Sequence, residues 1–295
     1  MKRFGATRLT SVLIVWLFAC LPLLANDVAN AQKGAKPSPA AVPISKASLA
    51  KLRSQDPSEI KAGLDDARIS GKAAAPAAPI IVDLLEKGLP FPLTEAAIDT
   101  LGDIESEPSS ATLSWYVRHR SVEIRRAAVK ALVHTKGAFA VKGLRSALSD
   151  EDPKVRGYAA TGLGALKAKE AVPDLFNALD HKVNEAAVSI GQLCVLADCE
   201  KLEGRLGRLP FDIVSSGLDQ ILFRPAAEVS DDAKVKLLGR LRELGTGEAN
   251  RFLRDVGARW PASGSVRVKQ SIDQGIQATA GSPGSQPGGA SGGGQ

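Results

Sequence analysis

Between Ala77 and Ile190 the apolar positions of the chain repeat. Four nine-residue stretches share one spacing, "AAPIIVDLL" from Ala77, "SSATLSWYV" from Ser109, "AVKGLRSAL" from Ala140 and "AVPDLFNAL" from Ala171, with starts 32, 31 and 31 residues apart. A second set lies between them: "LTEAAIDTL" from Leu93, "IRRAAVKAL" from Ile124, "VRGYAATGL" from Val155 and, after a shorter step of 27, "KVNEAAVSI" from Lys182. Apolar residues recur at intervals of three and four, as in Val141, Leu144 and Leu148 or Ile124, Ala128 and Leu132. That period predicts amphipathic helices. Pro79 and Pro173 fall where the first turn of a helix tolerates a missing N–H, and "HTKG" and "KAKE" supply short connections. Each unit is therefore expected to be a helical hairpin. One hairpin cannot bury both its apolar faces, so neighbours must stack, and a period near 31 predicts a solenoid rather than a globule.

The stretch "DPKVRGYAATGLGALKAKEAVPDLFNALD" resembles a HEAT repeat of the short, phycobilisome-lyase-like type. The resemblance covers residues 92–194 and weakens outward. "PSEIKAGLDDARIS" reads as a first repeat, while "SDDAKVKLLGRLRELGTGEANRFLRDV" and "SVRVKQSIDQGIQ" keep helical spacing with degenerate signatures, as capping units do. The resemblance implies an all-α fold: an α-solenoid of about six repeats forming a curved right-handed superhelix, on the order of 60 Å long at the usual interhelical spacing. It also places Arg125 and Arg156 at the position of an arginine that ladders with acidic residues between repeats, a structural role. For function it implies a scaffold or adaptor that binds a protein or peptide along its concave face without catalysis. The same repeat class contains pigment lyases, so a lyase-like or other enzyme-accessory role is the alternative.

The two ends read differently from the middle. "MKRFGATR" is positively charged, "LTSVLIVWLFACLPLLA" is apolar and "VANA" ends in the small residues a signal peptidase reads, so residues 1–31 are expected to be a signal peptide. Export to the periplasm or beyond follows. Leu17, Phe18, Ala19 and Cys20 also resemble a bacterial lipobox, so lipidation at Cys20 is the competing expectation, and membrane attachment is expected only through it. Residues 32–47 read as a Pro/Ala-rich linker, 48–278 as the solenoid, and 279–295, rich in Gly, Ser and Pro, as a disordered tail.

Composition narrows the chemistry. Aromatic residues are only 4% of the chain, which suits helices packed through small side chains. The net charge of +6 falls by two to +4 once Lys2, Arg3, Arg8 and Asp27 leave with residues 1–31. "RHRSVEIRR" at Arg118 to Arg126 is the dense basic cluster, and it reads as a solvated edge, so no nucleic-acid partner is expected. His119, His134 and His181 lie in different repeats with no metal-ligand spacing, so neither metal nor cofactor is expected. "GASGG" at Gly289 matches the G-x-S-x-G nucleophile pattern but has no strand before it or helix after it. A monomer that performs no chemistry is the expectation.

One departure from the repeat points towards function. Trp115 stands where its sister repeats have Asp83, Ser146 and Asn177, an exposed position, whereas Tyr116 aligns with Leu84, Ala147 and Ala178 and should enter the core. One turn on, His119 aligns with Lys87, Asp150 and His181. In HEAT-like solenoids the second helix lines the concave surface, and on that resemblance Trp115, His119, Ser146, Asp150, Asp174, Asn177 and His181 form a continuous partner-binding strip. Trp is enriched among binding anchors. The other reading is that Trp115 covers an imperfect junction beneath "ESEPSS". Finally, Cys194 and Cys199 are the two cysteines beyond the signal, and in an oxidising compartment they read either as a disulfide or as two half-buried thiols.

Overall fold

The computed structural model of the protein describes residues 42–281. The expected signal peptide with Cys20, most of the linker and nearly all of the tail lie outside the described residues. The described part is all-helical. The helices run α1 (Lys46–Lys51), α2 (Pro57–Ser70), α3 (Ala78–Lys87), α4 (Phe91–Ile104), α5 (Ser110–Tyr116), α6 (Val122–Thr135), α7 (Gly137–Ala147), α8 (Pro153–Ala165), α9 (Val172–Asp180), α10 (Glu185–Leu193), α11 (Leu196–Glu203), α12 (Phe211–Phe223), α13 (Asp231–Leu244), α14 (Gly247–Arg259) and α15 (Val266–Ala278). Helix starts are locally encoded. Asp56, Ser121, Asp152, Ser230, Thr246 and Ser265 accept backbone N–H groups at N-caps, and Pro57, Pro79, Pro153 and Pro173 stand in first turns.

Helix ends carry the repeat as well. Glu105, Lys136 and Lys167, spaced by 31, all hold positive φ, at 56°, 62° and 56°. At Lys167 the Ala168 N–H reaches the Leu163 carbonyl (3.1 Å) and the Lys167 N–H reaches that of Gly164 (3.0 Å), the Schellman arrangement that satisfies otherwise orphaned carbonyls. The left-handed residue here is a lysine, where glycine is the usual occupant.

Two layers result. The even-numbered helices α2 to α12 pack each against the next, whereas among the odd-numbered helices from α3 to α11 most neighbours barely touch, α5 against α7 being the pair in direct contact there. Small residues draw the even layer together. A Cβ at Gly102 would stand 3.1 Å from the Cα of Ala131, and one at Gly191 would stand 2.1 Å from the Gly217 carbonyl oxygen. At Gly191 the backbones meet with no room for a side chain, and at Gly102 they leave a tight fit. Helices that stand closer lie inside a bend, so the even layer is the inner one and the odd layer the outer.

Between the layers runs one apolar core. Leu113, Ile124, Leu132, Leu144, Leu163, Leu175 and Ile190 are fully enclosed, at the positions the repeat register assigns to it. Tyr116 differs from expectation. It is half-buried, because its hydroxyl needs a polar partner and finds one in the Leu85 carbonyl at 2.8 Å. Burial accordingly pushes its phenol up from the ordinary pKa, with Glu86 adding to the shift.

Past α12 the alternation ends: α13 and α14 both pack on α15, and Trp260 sits against Phe223 with ring centroids 5.6 Å apart. The buried Lys234 donates to the Arg224 carbonyl, and burial lowers its ammonium pKa. At the junction of α10 and α11 the sulfurs of Cys194 and Cys199 are joined, with Cα atoms 5.3 Å apart, inside the range a bridge requires. Arg224 Nη1 donates to the Cys194 carbonyl at 2.7 Å and so ties this turn to the end of α12.

Candidate functional site

The predicted strip residues come together, but on α5, α7, α9 and the turns after them, hence on the outer layer. The expectation of a concave location is corrected by the packing: the close-set even helices hold the inside of the bend, and Trp115, Ser146, Asp174 and Asn177 belong to odd helices. Three shallow depressions follow the strip. One of about 230 Å³ holds Trp115 and Ser146, a second of about 380 Å³ holds His119, Ser146 and Asp150, and a third of about 330 Å³ holds Asp150, Asp174, Asn177 and His181. Shared residues make them continuous.

Their chemistry is uneven. Asp150 is consumed by the fold, since its carboxylate accepts Arg125 Nε at 2.7 Å and Nη2 at 2.9 Å as well as the Asp152 N–H at 2.9 Å. Asp150 thus anchors the repeat boundary, and a partner finds little of it to touch. The expected ladder with acidic residues therefore forms at Arg125 and not at Arg156, which makes no ion pair among the described residues and instead holds the Asp150 and Glu151 carbonyls of its own repeat, at 2.8 and 2.9 Å. Asp174 is paired with Arg145 at 2.6 Å, more openly. His119 stacks on Tyr116 and accepts the Ser121 N–H through Nδ1 at 3.1 Å. His181 Nδ1 lies 2.8 Å from the Asn177 carbonyl and is the donor there, because a carbonyl can only accept. The two histidines therefore serve their own turns.

What remains free is aromatic. Trp115 is 80% exposed and Phe139 53% exposed, and both line the first depression. The geometry follows from helix period: Phe139, Gly143 and Ser146 form one stripe of α7, facing Ser114, Trp115 and Arg118 of the α5 region. Small residues let these helices touch. A Cβ at Gly143 would lie 2.7 Å from Leu132 Cδ1 and 3.3 Å from Ser114 Cβ, so the cleft has a floor of glycine and serine under two overhanging rings. Arg118 Nη2 bonds Ser146 Oγ across one end at 3.2 Å. Sequence comparison singled out Trp115 and passed over Phe139 and Lys142. Phe139 stands where sister repeats have Pro76, Pro108 and Glu170, so the same position-by-position comparison carries a signal for it.

Larger clefts lie near the N-terminal end, about 780 Å³ between α1 and α3 and about 760 Å³ between α3 and the turn after α4. Neither has an aromatic wall. Among the described residues no three His, Cys, Asp or Glu side chains gather as a metal site, and no helix is long and apolar enough to cross a membrane.

Stacked hairpins around one continuous core define an α-solenoid. Residues 141–216 match the family described as HEAT repeats. Among solved structures it is similar to the complex of CpcE and CpcF of phycocyanin lyase from Nostoc sp. PCC7120, at 19% identity over 84% of this chain and 98% of that one, with a TM-score of 0.44. An engineered protein is 16% identical over 81% and 79% of the two chains, with a TM-score of 0.47. A designed armadillo repeat protein is 15% identical over 79% and 98%, with a TM-score of 0.40. No curated protein matches the sequence.

Proposed function

We propose that the protein is an exported scaffold or adaptor that binds a protein or peptide partner on the outer face of α5, α7 and α9, without chemistry of its own. The observation that carries this reading is Trp115, 80% exposed beside Phe139 in a chain with few aromatic residues, on a position that sister repeats fill with Asp, Ser and Asn. A large ring left in water stabilises nothing in the fold, whereas rings of this kind are the usual anchors of interfaces. HEAT repeats present long surfaces of this sort, and each repeat can vary its exposed positions without disturbing the core. Export rests on the charged, apolar and small-residue pattern of residues 1–31.

The test is capture of partners from the exported fraction with the parent and with Trp115→Ala, followed by mass spectrometry of the bound material and of the mature N-terminus. The reading expects a set of proteins held by the parent and lost by the variant, on a chain whose N-terminus begins after Ala31. A captured set identical for the two proteins, or a chain that retains its first residues in the cytoplasm, defeats it.

A further inference from the structure

We infer that the cleft between α5 and α7 takes an acidic peptide segment, inserting one apolar side chain between Trp115 and Phe139 and setting its flanking carboxylates against Arg118 and Lys142. This rests on the reading of the face as a partner-binding surface and specifies the partner's chemistry. Size comes first. At about 230 Å³ the cleft lies below the roughly 300–1,000 Å³ of small-molecule pockets, and it is open along the helices, so it suits a single large side chain on a continuing chain. The walls are rings and the floor is Gly143 with Ser114 and Ser146, which favours an aliphatic or aromatic insert.

Charge selects what flanks it. Among the described residues no carboxylate lines this cleft, and neither Arg118 nor Lys142 forms an ion pair; Arg118 spends its donors on the neutral Ser146 hydroxyl. Nearby on the same layer Lys87 is compensated by Asp83 and Arg145 by Asp174, as is Arg205, in the turn after α11, by Asp180. At Arg118 and Lys142 uncompensated positive charge stands beside the two exposed rings, and an incoming carboxylate gains a charge-assisted hydrogen bond without displacing a resident one. Because α5 and α7 already touch, the cleft is preformed, and binding costs little ordering of the protein. Two cations around a side-chain-sized hole are too few and too local for a polyanion, whose recognition relies on tracks of many phosphate contacts.

The experiment uses the mature chain and fluorescein-labelled twelve-residue peptides read by anisotropy. One carries a central Leu among Asp and Glu; the others replace those acids by Asn and Gln, or by Lys. A heparin fragment and phosphatidylglycerol vesicles serve as polyanion and membrane probes. The acidic peptide is expected to bind at least ~10-fold more tightly than the neutral one, to weaken with added salt, to lose ~10-fold with Arg118→Gln plus Lys142→Gln, and to lose ~30-fold or more with Trp115→Ala. Phe139→Ala should act in the same direction, and melting curves establish that each variant is folded.

The inference is overturned if the acidic peptide does not bind, if the lysine or neutral peptide binds as well, or if heparin or vesicles bind through Trp115 while peptides do not. Neutral peptides that bind and are lost with Trp115→Ala would remove the acidic preference and leave the binding face standing. A partner captured equally by the parent and Trp115→Ala would instead remove the face itself.

Discussion

Arg125 and Asp150 are joined in a two-pronged ion pair, Nε to Oδ2 at 2.7 Å and Nη2 to Oδ1 at 2.9 Å, across the boundary between successive repeats. Both side chains are nearly out of water, at 14% and 8% exposure. Removing one partner strands the other, so Arg125→Met is expected to destabilise the fold by ~2–3 kcal/mol, below the cost of breaking a fully buried pair. Arg156→Met removes bonds to carbonyls alone and should cost less. Urea denaturation of both variants checks the order; equal losses would show that the Asp150 carboxylate has no special part.

Core and surface of the repeat should respond oppositely. Leu144 and Leu175 are fully enclosed at equivalent positions, so replacing either by Ala is expected to cost ~2–5 kcal/mol. Trp115→Ala, at an exposed site, should change stability by no more than ~0.5 kcal/mol. Thermal melting of the three variants reads both expectations without knowledge of any partner.

Acid should release a second inter-repeat pair. Asp152 accepts from Arg126 and, as the N-cap of α8, from the Val155 N–H; the Arg126 hydrogen bond is the chief cause that lowers its pKa from 3.8 to about 2. A folded pKa below the unfolded one contributes stability above the unfolded value and loses it as pH falls through the folded one. Asp152→Asn keeps a good cap and removes the charge. Parent and variant should therefore differ most above pH 4 and converge as pH falls towards 2. A difference that stays constant through that window would mean that the ion pair adds nothing.

The bridge between Cys194 and Cys199 closes a short loop and should add ~2 kcal/mol by loop entropy. The unreduced, unfolded chain should take up no iodoacetamide at these residues, and reduction should speed hydrogen exchange in α10 and α11. Exchange unchanged on reduction would show that Arg224, which holds the Cys194 carbonyl, suffices for the turn.

Lys167 offers a gain. It occupies the left-handed position of a Schellman cap at φ 56°, where a side chain is strained and glycine is not. Lys167→Gly is expected to raise stability by about 1 kcal/mol, a shift to higher denaturant midpoint with unchanged slope.

The helical repeat was legible because period and burial are the same information: Leu144 and Leu175 sit in register in the sequence and in the core. Pro79 and Pro173 marked first turns for a local reason. Asp150 was not legible as an anchor, because its partner Arg125 comes from another helix and no spacing within one element reports it. The layer that bears the strip was misassigned for a related reason. Curvature depends on how closely equivalent helices approach, and that is set by pairs such as Gly191 and Gly217, on different helices. Tyr116 kept the apolar position of its sisters while its hydroxyl overrode full burial.

The unequal layers have a mechanical consequence. Even-numbered helices locked backbone to backbone act as the spine of a fan, and the outer helices are its leaves. When such a rod flexes, the strain falls on the gaps between leaves, which widen or narrow while the spine keeps its length. The α5–α7 gap is sewn shut by Gly143, so the rod can change its overall curvature and still present the Trp115 cleft at constant width.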